Sequence, residues 1–317
     1  MSDVKLNVTD KQNVSLSNYT NTKTGGTVAH MYYPKTTEEL VELLTTLRSR
    51  RISYVVLGEM TNVAIASHPL NFEVINMSDF IGEPIWNADL CTLTVPSGVK
   101  MKALSRWARD HSVAGLQWME GIPGTVGAGA FMNAGFLGGQ DFSSFLLEAQ
   151  VLDESLNVRT VKNRDLQYSF RKSSLQSGGK IVLSVTFLLR PGKKWKIGLK
   201  MLQYHRRRAK NQPLEYPSAG TVFIPPVPYH LGAILPRLGL VGAKVGGARV
   251  SEKSPSFIIG ENMSGEDYRD LVKLIQARVL EEKHIDIEPE VRMLGFDGNR
   301  MLSQPQSCSW IPEEGAK

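Results

Sequence analysis

The feature that most constrains this chain is a glycine-rich segment near its middle, residues 121–135, which reads GIPGTVGAGAFMNAG. Glycine permits positive φ angles and close backbone approach, so such a segment exposes consecutive N–H groups. Thr125 adds a hydroxyl. We therefore predict an irregular loop that cradles a pyrophosphate, although tight backbone packing alone explains an isolated segment of this kind equally well.

Two common nucleotide-binding motifs do not fit this segment. It lacks the G-x-x-x-x-G-K-[ST] arrangement of a P-loop, and no G-x-G-x-x-G opens a helix after the first predicted strand. The pattern therefore supports neither a P-loop ATPase nor a Rossmann dinucleotide-binding protein.

The N-terminal part of the chain predicts an α/β unit. Leu40, Leu43, Leu44 and Leu47 recur at helical spacing after a Thr-rich cap, and a β-branched strand at 52–57 follows. The order of strand and helix repeats, with a strand at 92–95 and a helix at 99–111.

Farther along, residues 147–152, 158–161 and 180–189 predict a mainly antiparallel sheet. Pro191 and Gly192 then break the pattern before a short basic helix at 199–210. A strand at 256–260 and a helix from Gly265 follow, so the chain as a whole suits a soluble α/β or α+β enzyme, and residues from 299 onward predict a loose tail.

Length and composition narrow the class of protein. A chain of 317 residues predicts two or three domains, and its net charge of +6 raises nucleic acid as a partner. However, the densest basic run, 205–208 with Lys210, equally suits one anionic small molecule or a solvated face, and we expect no nucleic-acid partner. Cys91 and Cys308 stand alone, which predicts neither a disulfide framework nor a metal site.

The cellular setting is also predicted from patterning. No apolar stretch approaches 18 residues, and the N-terminal residues are polar without an apolar segment behind them. We therefore expect a cytoplasmic protein with no membrane partner and no secretory signal, and we expect a monomer.

Six ordered segments resemble the UDP-N-acetylenolpyruvoylglucosamine reductases, the MurB family. They extend from about residue 57 to residue 295, inside a resemblance that begins near Gly25. The segments are LGEMTN at 57–62, GIPGTVGAGAFMNAG at 121–135, YSFRKS at 168–173, QPLEYPSAGTVF at 212–223, VGGARVSEK at 245–253 and EPEVRMLG at 288–295.

The resemblance implies an α+β fold with a PCMH-type FAD-binding body and a C-terminal substrate-binding domain. The body is expected at 1–195, with subdomains at about 1–83 and 84–195. The substrate domain is expected at 200–290, before a tail at 296–317. The implied reaction uses FAD and NADPH to reduce the enolpyruvyl double bond of UDP-N-acetylglucosamine enolpyruvate, giving UDP-N-acetylmuramate for peptidoglycan synthesis.

The resemblance also assigns site residues. Thr221 stands where the family most often has its serine proton donor, Glu290 matches the glutamate that supports the developing enolate or relays the proton, and Arg171 matches the arginine near it. The implied substrate-binding residues are Arg206, Arg207, Gly220 and Phe223. The implied FAD-binding residues are Gly58, Thr61, Asn62, Gly121, Ile122, Pro123, Gly124, Thr125, Val126, Gly127, Ala128, Met132, Asn133 and Ala134.

Departures from the family pattern leave alternatives open. Glu59 and Met60 replace two glycines beside the expected pyrophosphate, and Ile224 and Pro225 replace a Lys-Asn pair on the substrate side. A related flavoenzyme that reduces a different activated alkene is one alternative. A flavin-binding protein without turnover is another.

Overall fold

The computed structural model describes residues 7–136, 139–177 and 179–296, together with the backbone of residues 309–310. Its first unit contains one helix and five strands. These are β1 (Thr9–Ser15), β2 (Thr27–Tyr33), α1 (Thr37–Ser49), β3 (Tyr54–Leu57), β4 (Val63–Ile65) and β5 (Glu73–Asn76).

Helix α1 confirms the predicted leucine pattern. Thr36 caps it by accepting a hydrogen bond from the Glu39 N–H at 3.2 Å, and the four leucines are fully buried. They form one buried cluster with residues of β3 and β5 and with Leu152 and Leu183. Strands β2, β5 and β3 run parallel, as expected for strands joined by a helix, and β1 pairs antiparallel with β2. Strand β3 begins two residues later than predicted.

The second unit is centred on an antiparallel sheet. Its elements are β6 (Ile85–Asn87), β7 (Thr92–Pro96), α2 (Met101–Asp110), β8 (Val113–Ala114), α3 (Val126–Phe131), β9 (Gly135–Phe136), β10 (Gln140–Asp141), β11 (Leu146–Leu152), β12 (Val158–Lys162), β13 (Ile181–Leu188) and β14 (Arg190–Pro191). The sheet order β12-β11-β13-β7-β6 is antiparallel throughout, which confirms the predicted antiparallel sheet.

The predicted irregular loop at 121–135 is wrong for its central part, because Val126–Phe131 forms helix α3. Two glycines of this helix lie where no side chain fits. A Cβ at Gly129 would overlap the Phe142 ring, and one at Gly127 would lie 2.7 Å from the Ser97 Cβ. Glycine disfavours helices in isolation, but here it permits close packing against the sheet.

The third unit carries the remaining elements. These are α4 (Lys194–Asn211), α5 (Leu231–Arg237), β15 (Lys244–Val245), β16 (Ala248–Val250), β17 (Ile258–Gly260), α6 (Gly265–Lys283) and β18 (Arg292–Leu294), after which β19 (Ser309–Trp310) follows. Strands β15, β16 and β17 form an antiparallel sheet against which α6 packs. The predicted helix at 199–210 begins earlier, at Lys194.

Helix α4 crosses the predicted domain boundary. Its Ile197 and Met201 are buried against Ala114 of the second unit, so the helix connects the second unit to the rest of the third. The predicted bounds of 1–195 and 200–290 stay a prediction.

Strand β18 returns the chain to the first unit. Residues 292–294 pair in parallel with Val63, Ala64 and Ile65 of β4. In the predicted tail, Ser309 and Trp310 form a short strand beside β3, so those two residues are ordered by backbone pairing, contrary to the prediction. The rest of the tail beyond residue 296 lies outside the described residues.

Within the part of the chain that the structure describes, no helix is long and apolar enough to cross a membrane. Nor do the described His, Cys, Asp and Glu side chains form a group of three that could hold a metal ion.

Candidate active site

Two loops from different units meet at the predicted cofactor site. One follows β3 at residues 58–62, and the other leads into α3 at residues 121–125. A Cβ at Gly58 would lie 2.7 Å from the Thr125 Oγ1, and one at Gly124 would lie 3.1 Å from the Thr61 Oγ1. Gly124 also has a φ of +109°, which favours glycine. The loops therefore approach through their backbones.

Some of the predicted FAD residues support the loop with their side chains. The Thr125 hydroxyl accepts from the Ala128 N–H at 3.4 Å, and the Val126 side chain is buried in the core of the second unit. The Asn133 amide donates to the Ser169 carbonyl at 2.9 Å and accepts from the Ser143 N–H at 2.9 Å. A ligand at this site would accordingly contact mainly backbone.

Glu59 reaches across from the first loop to the second. Its Oε2 accepts a hydrogen bond from the Gly124 N–H at 3.1 Å, and its Oε1 lies 2.5 Å from the Lys100 Nζ. The Lys100 contact was not predicted from the sequence, because nothing in the sequence around Lys100 marks it.

A buried ion pair lies where the second and third units meet. The Arg171 Nε donates to the Glu290 Oε1 at 2.8 Å, and the two side chains are 19% and 12% exposed. Arg171 also donates to the carbonyls of Asn133 at 3.2 Å and Gly135 at 3.0 Å. Its guanidinium is thus fixed by the end of the glycine-rich segment.

Two opposing effects act on the Glu290 carboxyl. Burial raises its pKa above the ordinary value, while the charge and hydrogen bond of Arg171 work in the other direction, and the net pKa is raised. A carboxyl with a raised pKa can hold or release a proton closer to neutrality, which suits a group that works in proton transfer.

Thr221 and Glu290 lie on two chain segments that pair. The Glu290 N–H donates to the Val222 carbonyl at 2.7 Å, and the Ile224 N–H donates to the Glu288 carbonyl at 2.9 Å. Thr221 is partly exposed and immediately precedes Val222. The structure therefore places Thr221 next to a residue that is hydrogen-bonded to Glu290, the partner of Arg171, and the catalytic roles of the three residues stay a prediction.

The cofactor loop is connected directly to this region. The Asn62 side-chain amide donates to the Glu290 carbonyl at 3.2 Å, and the Arg292 N–H donates to the Asn62 carbonyl at 3.1 Å. Asn62 thus joins the first unit to the segment that holds Glu290.

A cavity of about 150 Å³ opens beside the ion pair. Ligand pockets commonly measure about 300–1,000 Å³, so this cavity would hold one part of a larger ligand. Its wall includes Arg171, Glu290, Met132, Ile224, Lys172 and Glu288. The Lys172 Nζ lies 2.9 Å from the Glu288 Oε2. A second charge pair therefore faces the same space as the first.

The positions of the predicted substrate-binding residues favour contact with a ligand less than those of Arg171 and Glu290. Arg206 and Arg207 are exposed on α4, and the Phe223 ring is buried in the core of the third unit. Gly220 lies in the turn before Thr221 with a φ of +86°. The assignment of these four residues to substrate binding stays a prediction.

Arg208 is the arginine of the basic run that reaches the glycine-rich segment. A Cβ at Gly121 would lie 3.0 Å from the Arg208 Nη1, and burial lowers the pKa of this guanidinium. The helical spacing of residues in α4 could have identified Arg208 from the sequence. Ile197, Met201, Tyr204 and Arg208 share the face of α4 that packs on the second unit.

Known protein families match both the cofactor-binding part and the C-terminal part of the chain. Residues 28–161 match the FAD binding domain family, and residues 212–294 match the C-terminal domain of UDP-N-acetylenolpyruvoylglucosamine reductase. The reductase of Lactobacillus gasseri is 34% identical over 295 residues, covering 92% of this chain and 96% of the relative. The chain belongs to the UDP-N-acetylenolpyruvoylglucosamine reductase family.

Other members of this reductase family agree. The reductase of Petrotoga mobilis is 35% identical over 291 residues, covering 89% of this chain and 94% of that protein. The crystal structure of the reductase from Thermus caldophilus superposes with a TM-score of 0.75 at 27% identity, covering 90% of this chain and 98% of the other. The predicted family and α+β fold are confirmed, and the chain is an FAD-dependent oxidoreductase.

The two-loop cradle fits the diphosphate of FAD. The close approach of residues 58–62 to residues 121–125 is possible because Gly58 and Gly124 carry no side chain. Backbone N–H groups and a nearby ammonium are groups that bind phosphate oxygens. The Glu59 carboxylate is the one member of the cradle whose charge opposes such a ligand.

Proposed function

We propose that this protein reduces UDP-N-acetylglucosamine enolpyruvate to UDP-N-acetylmuramate, with NADPH as the reductant. The observation that carries the proposal is the buried Arg171–Glu290 pair, which lies between the cofactor loops and the segment of Thr221. The residues that would bind the cofactor, stabilise charge and donate a proton come from three parts of the chain, and hydrogen bonds to the backbone join those parts here.

The groups of the chain have separate roles in this reaction. FAD, when bound, would supply hydride transfer from NADPH to the enolpyruvyl double bond. Hydride addition leaves negative charge on the carboxylate side of the substrate, and the Arg171 guanidinium stabilises that charge. The Thr221 hydroxyl donates the proton to the adjacent carbon, while Glu290 holds Arg171 in place and supports proton delivery.

The cavity supports binding of the reacting part of a nucleotide-sugar. Its volume of about 150 Å³ suits an enolpyruvyl group, while the nucleotide would extend beyond it. The cations Arg171 and Lys172 both face this space and would attract the substrate carboxylate. FAD and NADPH are the two cofactors of this reductase, and the nucleotide-sugar is its partner.

The decisive experiment mixes the purified protein, loaded with FAD, with NADPH and UDP-N-acetylglucosamine enolpyruvate. We expect NADPH absorbance to fall only when the substrate is present, by one equivalent for each substrate consumed. Substrate-independent consumption of NADPH, or none with this substrate, would contradict the proposal. A yellow protein that never oxidises NADPH would instead be a flavin-binding protein without turnover.

A further inference from the structure

An anionic side chain already occupies part of the cofactor cradle. The Glu59 carboxylate accepts from the Gly124 N–H at 3.1 Å and pairs with the Lys100 Nζ at 2.5 Å. A backbone N–H of a glycine with positive φ, together with an ammonium, is the arrangement that would hold a phosphate oxygen. Here that arrangement holds a carboxylate.

The direction of Glu59 is set by its neighbour in the sequence. Met60 adopts a φ of +53° and buries its side chain in the core of the first unit, where it is 3% exposed. Because Met60 is anchored inward, the preceding residue is presented to the opposite side, toward residues 121–125. The conformation of the loop therefore favours the contact between the Glu59 side chain and Gly124, while the side chain itself remains free to move away.

Lys100 is placed to exchange partners. It lies directly before α2, and its side chain is 64% exposed, whereas that of Glu59 is 21% exposed. A long exposed side chain can follow an anion over several ångströms at small cost. If the carboxylate moves away, the ammonium and the Gly124 N–H are both released at the same point.

We propose that Gly124 and Lys100 form an oxyanion subsite for the diphosphate of FAD, and that the Glu59 carboxylate occupies this subsite until FAD displaces it. The proposal rests on the proposed function only through the identity of the cofactor. Glu59 acts as an intramolecular competitor, so FAD must break the Gly124 hydrogen bond and the Lys100 ion pair before its diphosphate binds. The affinity for FAD is lower as a result.

The first test measures FAD binding to Glu59→Gln and Glu59→Ala by quenching of flavin fluorescence. We expect both variants to bind FAD about tenfold or more tightly than the parent protein, because a hydrogen bond to a charged group is worth at least that factor. Riboflavin, which lacks the diphosphate, should bind each variant as it binds the parent protein. Glu282→Gln, an exposed glutamate in an ion pair on α6, is the matched control and should change neither affinity.

The second test uses Lys100→Gln alone and combined with Glu59→Gln. In the parent protein Lys100 has a partner before and after FAD binds, so its removal should weaken FAD binding about threefold or less. In the Glu59→Gln background Lys100 gains its partner only on binding, and its removal should weaken FAD binding about tenfold. This difference isolates the exchange of partners from any general effect of losing a positive charge.

Four outcomes would overturn the proposal. FAD affinity that falls or stays constant in Glu59→Gln would make Glu59 a support of the loop. Equal tightening of FAD and riboflavin would indicate an effect on the whole site, and equal effects of Lys100→Gln in both backgrounds would exclude partner exchange. Absence of FAD binding by every variant would contradict both this proposal and the proposed function, whereas FAD binding without catalysis would contradict the function alone.

Discussion

Replacing Arg171 with Ala tests whether the pair with Glu290 controls both stability and charge at the site. The change removes three hydrogen bonds at once, to the Glu290 carboxylate and to the carbonyls of Asn133 and Gly135. It leaves a carboxylate whose side chain is only 12% exposed without its cation. We expect a large loss of stability.

The distance between Arg171 and Glu290 sets the size of the expected loss of stability. At 2.8 Å and an effective dielectric constant of about 20, two unit charges attract by about 6 kcal/mol. Part of this attraction offsets the cost of burying both groups, and removal of one partner from a buried pair typically costs about 3–5 kcal/mol. We expect Arg171→Ala to lower the free energy of unfolding by that amount near neutral pH, as measured by urea denaturation.

The pH dependence gives a sharper test. Burial raises the pKa of Glu290 in the folded protein, so its contribution to stability is greatest at low pH and is lost as the pH rises through the folded pKa. Without Arg171 the pKa of Glu290 in the folded protein rises further. The loss of stability with rising pH then extends to higher pH. The deficit relative to the parent protein should therefore be smaller near about pH 4.5, where mainly the two carbonyl hydrogen bonds are lost, and largest above neutrality.

Two further variants separate the pair from a general effect of losing an arginine. Adding Glu290→Gln to Arg171→Ala should restore part of the stability and remove most of the pH dependence, because no buried charge remains. Arg164→Ala removes an arginine that is 81% exposed and pairs with Asp165, so it should cost at most about 1 kcal/mol. A deficit in Arg171→Ala that is equal at both pH values would refute the coupling to Glu290.

Further predictions concern the half-reactions and the glycines. Thr221→Ala should leave reduction of FAD by NADPH nearly intact but slow its reoxidation by substrate roughly 10²–10⁴-fold in stopped-flow experiments, because a proton donor acts only in the second step. Equal slowing of both steps would make Thr221 a structural turn residue. Glu290→Gln should show the same asymmetry, and a change confined to NADPH oxidation would contradict its role. Gly129→Ala should destabilise the protein by about 1–3 kcal/mol because its Cβ would overlap Phe142, whereas Gly198→Ala, within α4 and in ordinary contact with Arg109, should stabilise it by about 0.5–1 kcal/mol. Similar effects of the two glycine changes in denaturation would contradict the packing argument.

Local patterns predicted the elements that bury one regular face. The leucines of α1 and the apolar residues of α6 recur at helical spacing, and both helices form where expected. Alternation likewise predicted the antiparallel strands β11, β12 and β13. In each case the signal lies within the element, so the sequence contains it without reference to distant residues.

Contacts with distant residues explain the features that the sequence did not predict. Helix α3 forms despite its glycines because Phe142 and Ser97 leave room only for hydrogen atoms at two positions. The placement of β18 beside β4 joins residues more than two hundred positions apart, and no local pattern specifies such a pair. The motifs predicted that Arg171 and Glu290 belong to one site, whereas only the folded chain reveals that they form a buried pair.

The partnership of Glu59 with Gly124 and Lys100 is another long-range contact. The sequence showed that a carboxylate stands near the expected diphosphate but did not show where it points. The structure instead directs Glu59 toward Gly124, because the Met60 side chain beside it enters the core on the opposite side. Met60, which is buried and has a positive φ, determines the direction of Glu59, and no local sequence pattern predicts that conformation.

The return of β18 to β4 makes the third unit an insertion whose two ends are both anchored in the body. Chain cleavage inside the insertion, for example in the exposed segment near Val227, would leave fragments that stay associated through α4 and through this strand pair. Deletion of residues beyond 287 would instead withdraw β18 and β19 from the nucleotide-binding body and also remove the Glu290 carbonyl that accepts from the Asn62 amide. Strand β18 thus makes the integrity of the flavin site depend on the segment of the chain that follows α6.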